Sequence, residues 1–136
     1  MTLLLSWNRA SNVGVKAMDD QHAIMMDTMN ELRAALEQGA KRVQADELLN
    51  KLIEFTRMHF WNEERLLEQH GFPGLAGHLS EHQRLLTQLQ DKVHRTQHGE
   101  AAHMSELLCF LHDWFIDHVE GMDRQYGPWL NQRGVH

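Results

Sequence analysis

The chain reads His-Phe-Trp-Asn-Glu at residues 59–63 and His-Leu-Ser-Glu-His at residues 78–82. In each stretch the first and last residues are four positions apart, which puts both side chains on one helix face about one turn apart. Leucines continue each face at steps of three or four residues, so the polar pairs lie on apolar stripes and not opposite them. The two stretches therefore predict helices that direct metal-type ligands into a core.

The same pattern recurs on one segment before these stretches and on one after them. His22 begins an apolar stripe that continues through Met25, and His118 lies on another stripe, one turn after Phe115. An unpaired polar group on a core face costs on the order of 1 to 3 kcal/mol, so one shared metal centre is the economical way to satisfy all of them. The candidate ligands of this dinuclear centre are the seven polar side chains on the four stripes: His22, His59, Glu63, His78, His82, His118 and Asp123.

Glycine-bearing breaks separate four predicted helices, which favours an all-α fold: an up-down-up-down antiparallel four-helix bundle with an irregular N-terminal arm. We predict one domain over residues 1–136. We expect an arm over residues 1 to about 18, and then a first helix that is capped by Asp19 or Asp20 and ends at Gly39. The second helix should run from near Asp46 to the break at 71–74, and the third from Leu75 to before Gly99. The fourth helix should end near Gly127-Pro128.

Composition excludes several classes of function. The formal charge of −6 gives no electrostatic reason to expect nucleic-acid or anionic-membrane binding. Cys109 is the only cysteine, so an intrachain disulfide and a Cys-rich zinc module are both excluded. The run Leu3 to Leu5 is too short for a signal sequence or a membrane span, so we expect a cytoplasmic protein without membrane insertion. The apolar stripes are consumed by the bundle core, which favours a monomer.

The ligand set predicts a vacancy as well as a site. Two octahedral metal ions offer about twelve positions, of which five imidazoles, two bridging carboxylates and one single-atom bridge fill about eleven. One position remains for a small exogenous ligand. Imidazole suits zinc, copper, iron and nickel alike, but zinc usually takes four ligands. The set is also richer in histidine than the carboxylate di-iron bundles, which use two Glu-x-x-His motifs. The sequence has one such motif, Glu100 to His103, in the expected loop before the fourth helix, and we interpret it as accidental.

Four motifs in order carry a family resemblance over nearly the whole length. They are Trp7 through Val13-Gly14-Val15 to Asp19-Asp20-Gln21-His22, His59-Phe60-Trp61-Asn62-Glu63-Glu64, His78-Leu79-Ser80-Glu81-His82, and Trp114-Phe115-Ile116-Asp117-His118 with Asp123 and Tyr126. With these motifs the chain resembles the single-domain bacterial hemerythrins.

The resemblance implies two iron ions with an oxo or hydroxo bridge, and reversible dioxygen binding for transport, storage or local supply. It also implies a division of the ligands between the irons. His78, His82 and His118 would fill the shell of one iron, while His22 and His59 would leave the other open to dioxygen. Glu63 and Asp123 would bridge. The delivery partner would be an oxygen-consuming enzyme, and the protein itself would not be one.

Two other classes of function use the same bundle. One is a sensor of oxygen or redox state, but sensory members commonly carry a fused signalling domain, for which 136 residues leave no room. The other is a di-iron enzyme that reduces peroxide or oxidises a substrate, but no polar cluster beyond the ligands indicates a substrate pocket.

Several neighbours of the ligands receive simpler interpretations. Many hemerythrins carry leucine where this chain has Phe115, so we expect a bulkier wall over the open iron. Glu64 is interpreted as a solvated neighbour of Glu63, Trp61 as facing away from the site, and Cys109 as a buried small hydrophobe.

Overall fold

The computed structural model describes residues 12–39, 41–97 and 102–136, and in these ranges every regular element is helical. The elements are α1 (Lys16–Glu37), α2 (Arg42–Gln69), α3 (Leu75–Gln97), α4 (Ala102–His118), a π-helical segment (Val119–Asp123) and α5 (Arg124–Asn131). Some residues on which the sequence predictions depend lie outside the described ranges: Leu3, Leu4, Leu5, Trp7, His98, Gly99 and Glu100.

The helices form the predicted up-down-up-down four-helix bundle. α1 packs on α2, α2 on α3 and α3 on α4, and α4 closes the ring against α1. Buried methionines, leucines and aromatic residues fill the interior, and the polar candidate ligands form a layer within it. None of the helices in the described part of the chain is long and apolar enough to cross a membrane.

The first helix begins earlier than the sequence predicts. α1 starts at Lys16, because the amide of Met18 already donates to the carbonyl of Val15 (3.0 Å). Asp19 therefore lies inside the first turn and is not its N-cap. Its carboxylate reaches back to accept hydrogen bonds from the amides of Val13 (2.8 Å) and Gly14 (3.2 Å) and so anchors the preceding segment. The end of α1 agrees with the prediction, since Gly39 adopts the left-handed φ of +74° that suits a helix C-terminus.

The second helix also starts before its predicted residue. α2 begins at Arg42 and not near Asp46, because the side-chain oxygen of Gln44 accepts a hydrogen bond from the amide of Lys41 (3.2 Å) and satisfies an otherwise free helix-end donor. Arg42, Val43 and Gln44 are exposed and Ala45 is the one buried residue of this turn, so its sequence carries no apolar stripe by which the start could have been recognised.

The predicted end of the fourth helix near Gly127-Pro128 is wrong. The helical path passes through the π segment and continues as α5 to Asn131, with Pro128 inside it. Pro128 removes one backbone donor, but the same turns bury Tyr126 and Leu130 completely, and this burial favours the helix. Glycine and proline indicate a helix end from the local sequence, but the packing of the turns around them is not visible in that sequence.

Gly127 is needed for a close approach between the two ends of the described chain. A Cβ atom at this position would lie 1.8 Å from the backbone carbonyl oxygen of Val13, so any side chain here would force the two segments apart. The side chain of Asn131 adds a hydrogen bond to the carbonyl of Gly14 (3.0 Å). The segment before α1 is therefore held against α5, the helix that carries Tyr126.

Candidate metal centre

The structure brings all seven predicted ligands together in the bundle interior. α1 contributes His22, α2 contributes His59 and Glu63, and α3 contributes His78 and His82, while His118 ends α4 and Asp123 ends the π-helical segment. All seven are buried, and His118, at 8% exposed, is the most accessible of them. The five histidines and Glu63 lie on the core-facing stripes where the spacing of the sequence predicts them, and Asp123 reaches the same interior from the π-helical segment.

The potential donor atoms fall into two groups. In each group one nitrogen or oxygen atom from every residue lies within 4.8 Å of the others. We call the first group the three-histidine subsite and the second the two-histidine subsite. The three-histidine subsite comprises His78, His82, His118, Glu63 and Asp123, and the two-histidine subsite comprises His22, His59, Glu63 and Asp123.

Glu63 presents a different oxygen atom to each subsite. Its Oε1 lies 2.5 Å from Nε2 of His78 and 2.9 Å from Nε2 of His82. Its Oε2 lies 3.4 Å from Nε2 of His59 and 3.8 Å from Nε2 of His22. One carboxylate therefore faces both subsites, as a bridging ligand must.

Asp123 repeats this division. Its Oδ1 lies 3.0 Å from Nε2 of both His78 and His118, in the three-histidine subsite. Its Oδ2 lies 3.2 Å from Nε2 of His22, in the two-histidine subsite. The two carboxylates thus span the same pair of subsites from different helices.

The π-helical segment explains why Asp123 works at a spacing of five residues from His118. In a regular α-helix, residues five apart point about 140° away from each other. Residues 119–123 instead form one wider π turn, in which positions five apart are hydrogen-bonded neighbours. The wider turn puts Asp123 on the same face as His118, and such π turns are frequent at functional sites.

Several buried polar atoms of this cluster have no hydrogen bond. Within the described ranges they include Nε2 of His59, His82 and His118 and both carboxylate oxygens of Asp123. These atoms lie close to one another, but they are not aligned as donor and acceptor. The large majority of buried polar groups in proteins have a hydrogen-bond partner, so lone pairs that converge in this way need a common partner. The imidazole and carboxylate donors fit a pair of transition-metal ions.

The electrostatics of the carboxylates favour the ionised state that binds metals. Burial would raise the pKa of Glu63, but the imidazole rings of His59, His78 and His82 outweigh burial and hold its pKa well below the ordinary value. For Asp123, burial and the charge of Glu63 act upward, and the rings of His118 and His22 lower the pKa overall. Two negative charges therefore lie between the subsites.

The histidines respond differently in the two subsites. Burial lowers the pKa of His59, although Glu63 acts against this, so the neutral ring is favoured. At His78 burial also acts downward, but the nearby carboxylates of Asp123 and Glu63 raise its pKa to about 10. In the metal-free protein, protonated rings compensate the buried carboxylates, and a bound cation would replace those protons.

Two positions outside the predicted set contact the rings from behind. Nδ1 of His59 lies 2.6 Å from the side-chain oxygen of Gln21, and Nδ1 of His82 lies 2.7 Å from Oε2 of Glu64. Each contact fixes a ring with Nε2 directed at the cluster. The interpretation of Glu64 as a solvated neighbour is therefore wrong. Its adjacency to Glu63 was a signal, but the ring that it meets depends on helix packing.

Two aromatic residues complete the surroundings, and sequence analysis did not assign either of them. The hydroxyl of Tyr126 donates a hydrogen bond to Oε2 of Glu63 (2.8 Å), and burial raises its pKa well above the ordinary value, which keeps the donor protonated. The ring of Phe60 stacks on His82, with centroids 3.8 Å apart and planes within 5°. The first orients a carboxylate and the second packs against a ring.

A small cavity of about 10 Å³ adjoins the two-histidine subsite. Its walls are His22, Met25, His59, Phe60, Trp114, Phe115, His118 and Val119. Phe115 is 2% exposed and its ring contacts His22 edge to face, with centroids 5.8 Å apart. Phe115 therefore lies where the sequence predicts it, in the wall of a space beside the subsite with fewer ligands.

The remaining singled-out residues lie away from the cluster. None of the other histidines with a described side chain (His70, His94, His112 and His136) belongs to a metal-type group. Trp61 is 58% exposed and faces away from the site, as predicted. The prediction that Cys109 is buried is wrong, because its position on α4 faces solvent. The predicted loop position of His103 is also wrong, since α4 already begins at Ala102.

Comparison with known proteins points to one family. The family model described as the hemerythrin HHE cation binding domain matches residues 13–130. A bacteriohemerythrin of Methylococcus capsulatus is 32% identical over 131 residues, covering 94% of this chain and 98% of that protein. A bacteriohemerythrin of Ralstonia nicotianae is 34% identical over 131 residues, covering 96% of this chain and 92% of that protein.

Solved structures give the same result for the fold. The crystal structure of a wild-type hemerythrin superimposes with a TM-score of 0.79 at 30% identity, over 93% of this chain and 97% of that one. A variant described as a hemerythrin mutant in which alanine replaces one leucine superimposes equally well, with the same TM-score and coverage.

Proposed function

The chain belongs to the hemerythrin family, and from this premise we propose that it binds dioxygen reversibly at a non-haem di-iron centre. The observation that carries the proposal is the division of each carboxylate between the two subsites. Glu63 and Asp123 each direct one oxygen atom at either group of histidines. Such an arrangement suits two metal ions held side by side better than a single ion.

The proposed ligands follow from the two subsites. His78, His82 and His118 would hold one iron and His22 and His59 would hold the other, while Glu63 and Asp123 would contribute to both. When bound, a pair of ferrous ions supplies one vacant coordination position and the electrons that reversible dioxygen binding requires. The chain itself supplies the geometry, since seven buried side chains on four packed helices hold the donors in place.

The cavity beside the two-histidine subsite limits the size and the polarity of a ligand that could reach this position. A space of about 10 Å³ is close to the minimum that holds one water molecule. Phe115, Trp114 and Met25 give it apolar walls, which disfavour water relative to an apolar gas. These residues exclude water and larger ligands from the position next to His22 and His59.

The composition of the cavity wall favours binding over catalysis. The only polar side chains that line it are His22, His59 and His118, which are themselves candidate ligands. No further acid or base is therefore available within this lining to transfer a proton to a substrate. We propose a carrier, store or local supply of oxygen and not an enzyme.

The cellular setting of this function is also a proposal. We infer a cytoplasmic monomer that delivers oxygen to an oxygen-consuming enzyme. Sedimentation analysis of the iron-loaded protein tests the oligomeric state, and fractionation of cells tests the location.

Oxygen titration of the iron-loaded, anaerobically reduced protein tests the proposed function. We expect uptake of one dioxygen per two irons and its recovery when the solution is purged with argon. Oxygen consumption that continues beyond this ratio, or uptake that purging does not reverse, would overturn reversible binding. Sustained turnover of added peroxide would favour an enzyme.

A further inference from the structure

The two subsites differ in the chemistry behind their histidines. In the three-histidine subsite, Nδ1 of His82 donates to the carboxylate of Glu64 (2.7 Å). In the two-histidine subsite, Nδ1 of His59 donates to the neutral amide oxygen of Gln21 (2.6 Å). Both contacts fix the ring, but only the first adds a full negative charge behind it.

A charged acceptor changes what the ring offers to a metal. Hydrogen bonds to an ionised acceptor are roughly twice as strong as bonds between neutral groups. A carboxylate that accepts the Nδ1 proton makes the imidazole more basic and strengthens its bond to a cation through Nε2. His82 is therefore a stronger donor than His59, although the two rings have the same orientation toward the cluster.

The bridging carboxylate has the same asymmetry. Oε2 of Glu63, which faces the two-histidine subsite, already accepts a hydrogen bond from the hydroxyl of Tyr126 (2.8 Å). This bond withdraws electron density from that oxygen. Oε1 shares a hydrogen bond with Nε2 of His78 (2.5 Å) and lies 2.9 Å from Nε2 of His82, but both nitrogens are candidate metal ligands that a bound metal would engage, and among the described residues no hydroxyl donates to Oε1. Glu63 therefore also binds more strongly on the three-histidine side.

We propose that Glu64 and Gln21 are positioning residues that make the two metal subsites unequal in affinity. Glu64 strengthens retention at the three-histidine subsite, and the neutral Gln21 keeps the two-histidine subsite weaker. This inference rests on the proposed di-iron function. The weaker subsite is the one beside the cavity walled by Phe115, so the metal that must accept and release a ligand receives less donation from the protein.

The test is removal of iron by a competing chelator from the fully loaded, reduced protein under anaerobic conditions. The wild type is compared with Glu64→Gln and Gln21→Glu, which exchange charge for neutrality while keeping the size and the hydrogen-bond acceptor. Glu68→Gln is the matched control, because Glu68 lies one turn further along α2 and its exposed side chain pairs with Arg65 (3.3 Å), away from the cluster. Iron per chain and the reduction potential are measured at each step.

We expect the wild type to lose its two irons in separate steps, first the iron of the two-histidine subsite and then the iron of the three-histidine subsite. Glu64→Gln should move the second step to about 10- to 100-fold lower chelator concentration, the usual loss for an altered partner of a metal-bound histidine. It should also raise the reduction potential, because the variant has lost a negative charge that stabilises the ferric state relative to the ferrous state. Gln21→Glu should move the first step to higher chelator concentration and lower the potential. Glu68→Gln should match the wild type.

The inference and the proposed function fail in different ways. Wild-type protein that takes up two irons but loses them in a single step, or a Glu64→Gln variant that matches the control, overturns the inference alone. Gln21→Glu gives an independent reading if the first variant folds poorly. Wild-type protein that never takes up two irons overturns the proposed function and, with it, the inference.

Discussion

Glu63 is the residue on which both subsites depend, because its two oxygens contact histidines of both groups. We expect Glu63→Ala to lower the iron content from two per chain to about one or less, since the variant lacks a bridging ligand and leaves the rings with one carboxylate fewer. Metal analysis of the reconstituted protein measures this. Glu68→Ala on the same helix serves as the control, and a Glu63→Ala variant that retains two irons would show that the bridging role is misassigned.

Phe115 is expected to control access and not iron binding. Its ring contacts His22 and forms part of the cavity wall, but it offers no ligand atom. Phe115→Leu enlarges the cavity and should therefore speed oxygen entry or release while the iron content stays at two per chain. Stopped-flow mixing with oxygenated buffer gives both rates, and rates equal to those of the wild type would remove Phe115 from the pocket.

At the scale of residues, the sequence predicted positions on helix faces well and contacts between helices poorly. The spacing of four residues places Glu63, and not Glu64, on the stripe with His59, and the structure buries Glu63 completely. Gln21 and Glu64 lie beside ligands in the chain, but which ring each one meets depends on how α1, α2 and α3 pack. No periodicity within a single helix carries that information.

Among the elements, the π segment makes the most specific prediction. In a π turn, residues five apart are hydrogen-bonded neighbours on one face, as residues four apart are in an α-helix. Deletion of Gly121 should therefore restore an α-helix in which His118 and Asp123 are four positions apart and still lie on one face. Insertion of one alanine after Gly121 should instead turn Asp123 about 100° away from the cluster.

We therefore expect the deletion variant to keep two irons per chain and the insertion variant to fall to about one or less. Circular dichroism checks that both remain helical. Equal iron content in the two variants would mean that the π turn does not position Asp123.

The helices themselves could be predicted from the sequence, but some of their ends could not. The existence, order and core faces of the four helices followed from apolar spacing and agree with the structure. The end of the fourth helix did not, because Gly127 and Pro128 are local stop signals that the burial of Tyr126 and Leu130 overrides. The π segment was not predicted either, although the five-residue spacing between His118 and Asp123 was its one trace in the sequence.

For the whole molecule, the buried ligands couple iron content to stability and pH. The folded-state pKa of His78 is about 10, above the ordinary value of about 6.5. A raised pKa contributes stability that is complete below the unfolded value and is lost as the pH rises through the folded value. The pKa of His118 is shifted in the same direction, because the charge of Asp123 outweighs burial. The metal-free protein should therefore be destabilised between about pH 6.5 and 10.

We expect the melting temperature of the metal-free protein to fall by about 4 °C or more between pH 6 and pH 9, which corresponds to about 1 kcal/mol for a chain of this length. The iron-loaded protein should melt higher and change less over this range, because the metal replaces the protons on these rings. Calorimetry at both pH values measures the difference. A metal-free protein that becomes more stable toward pH 9 would contradict the assigned role of His78.

The central claim, reversible oxygen binding at a di-iron centre, is tested most directly by the visible absorption spectrum of the iron-reconstituted protein. The protein is reduced without oxygen, exposed to air and then deoxygenated. We predict a colourless reduced form that gains charge-transfer bands in air and loses them again when oxygen is removed. Immediate conversion to a stable oxidised spectrum with no oxygenated form would contradict the claim and would point to a redox sensor or an oxidase.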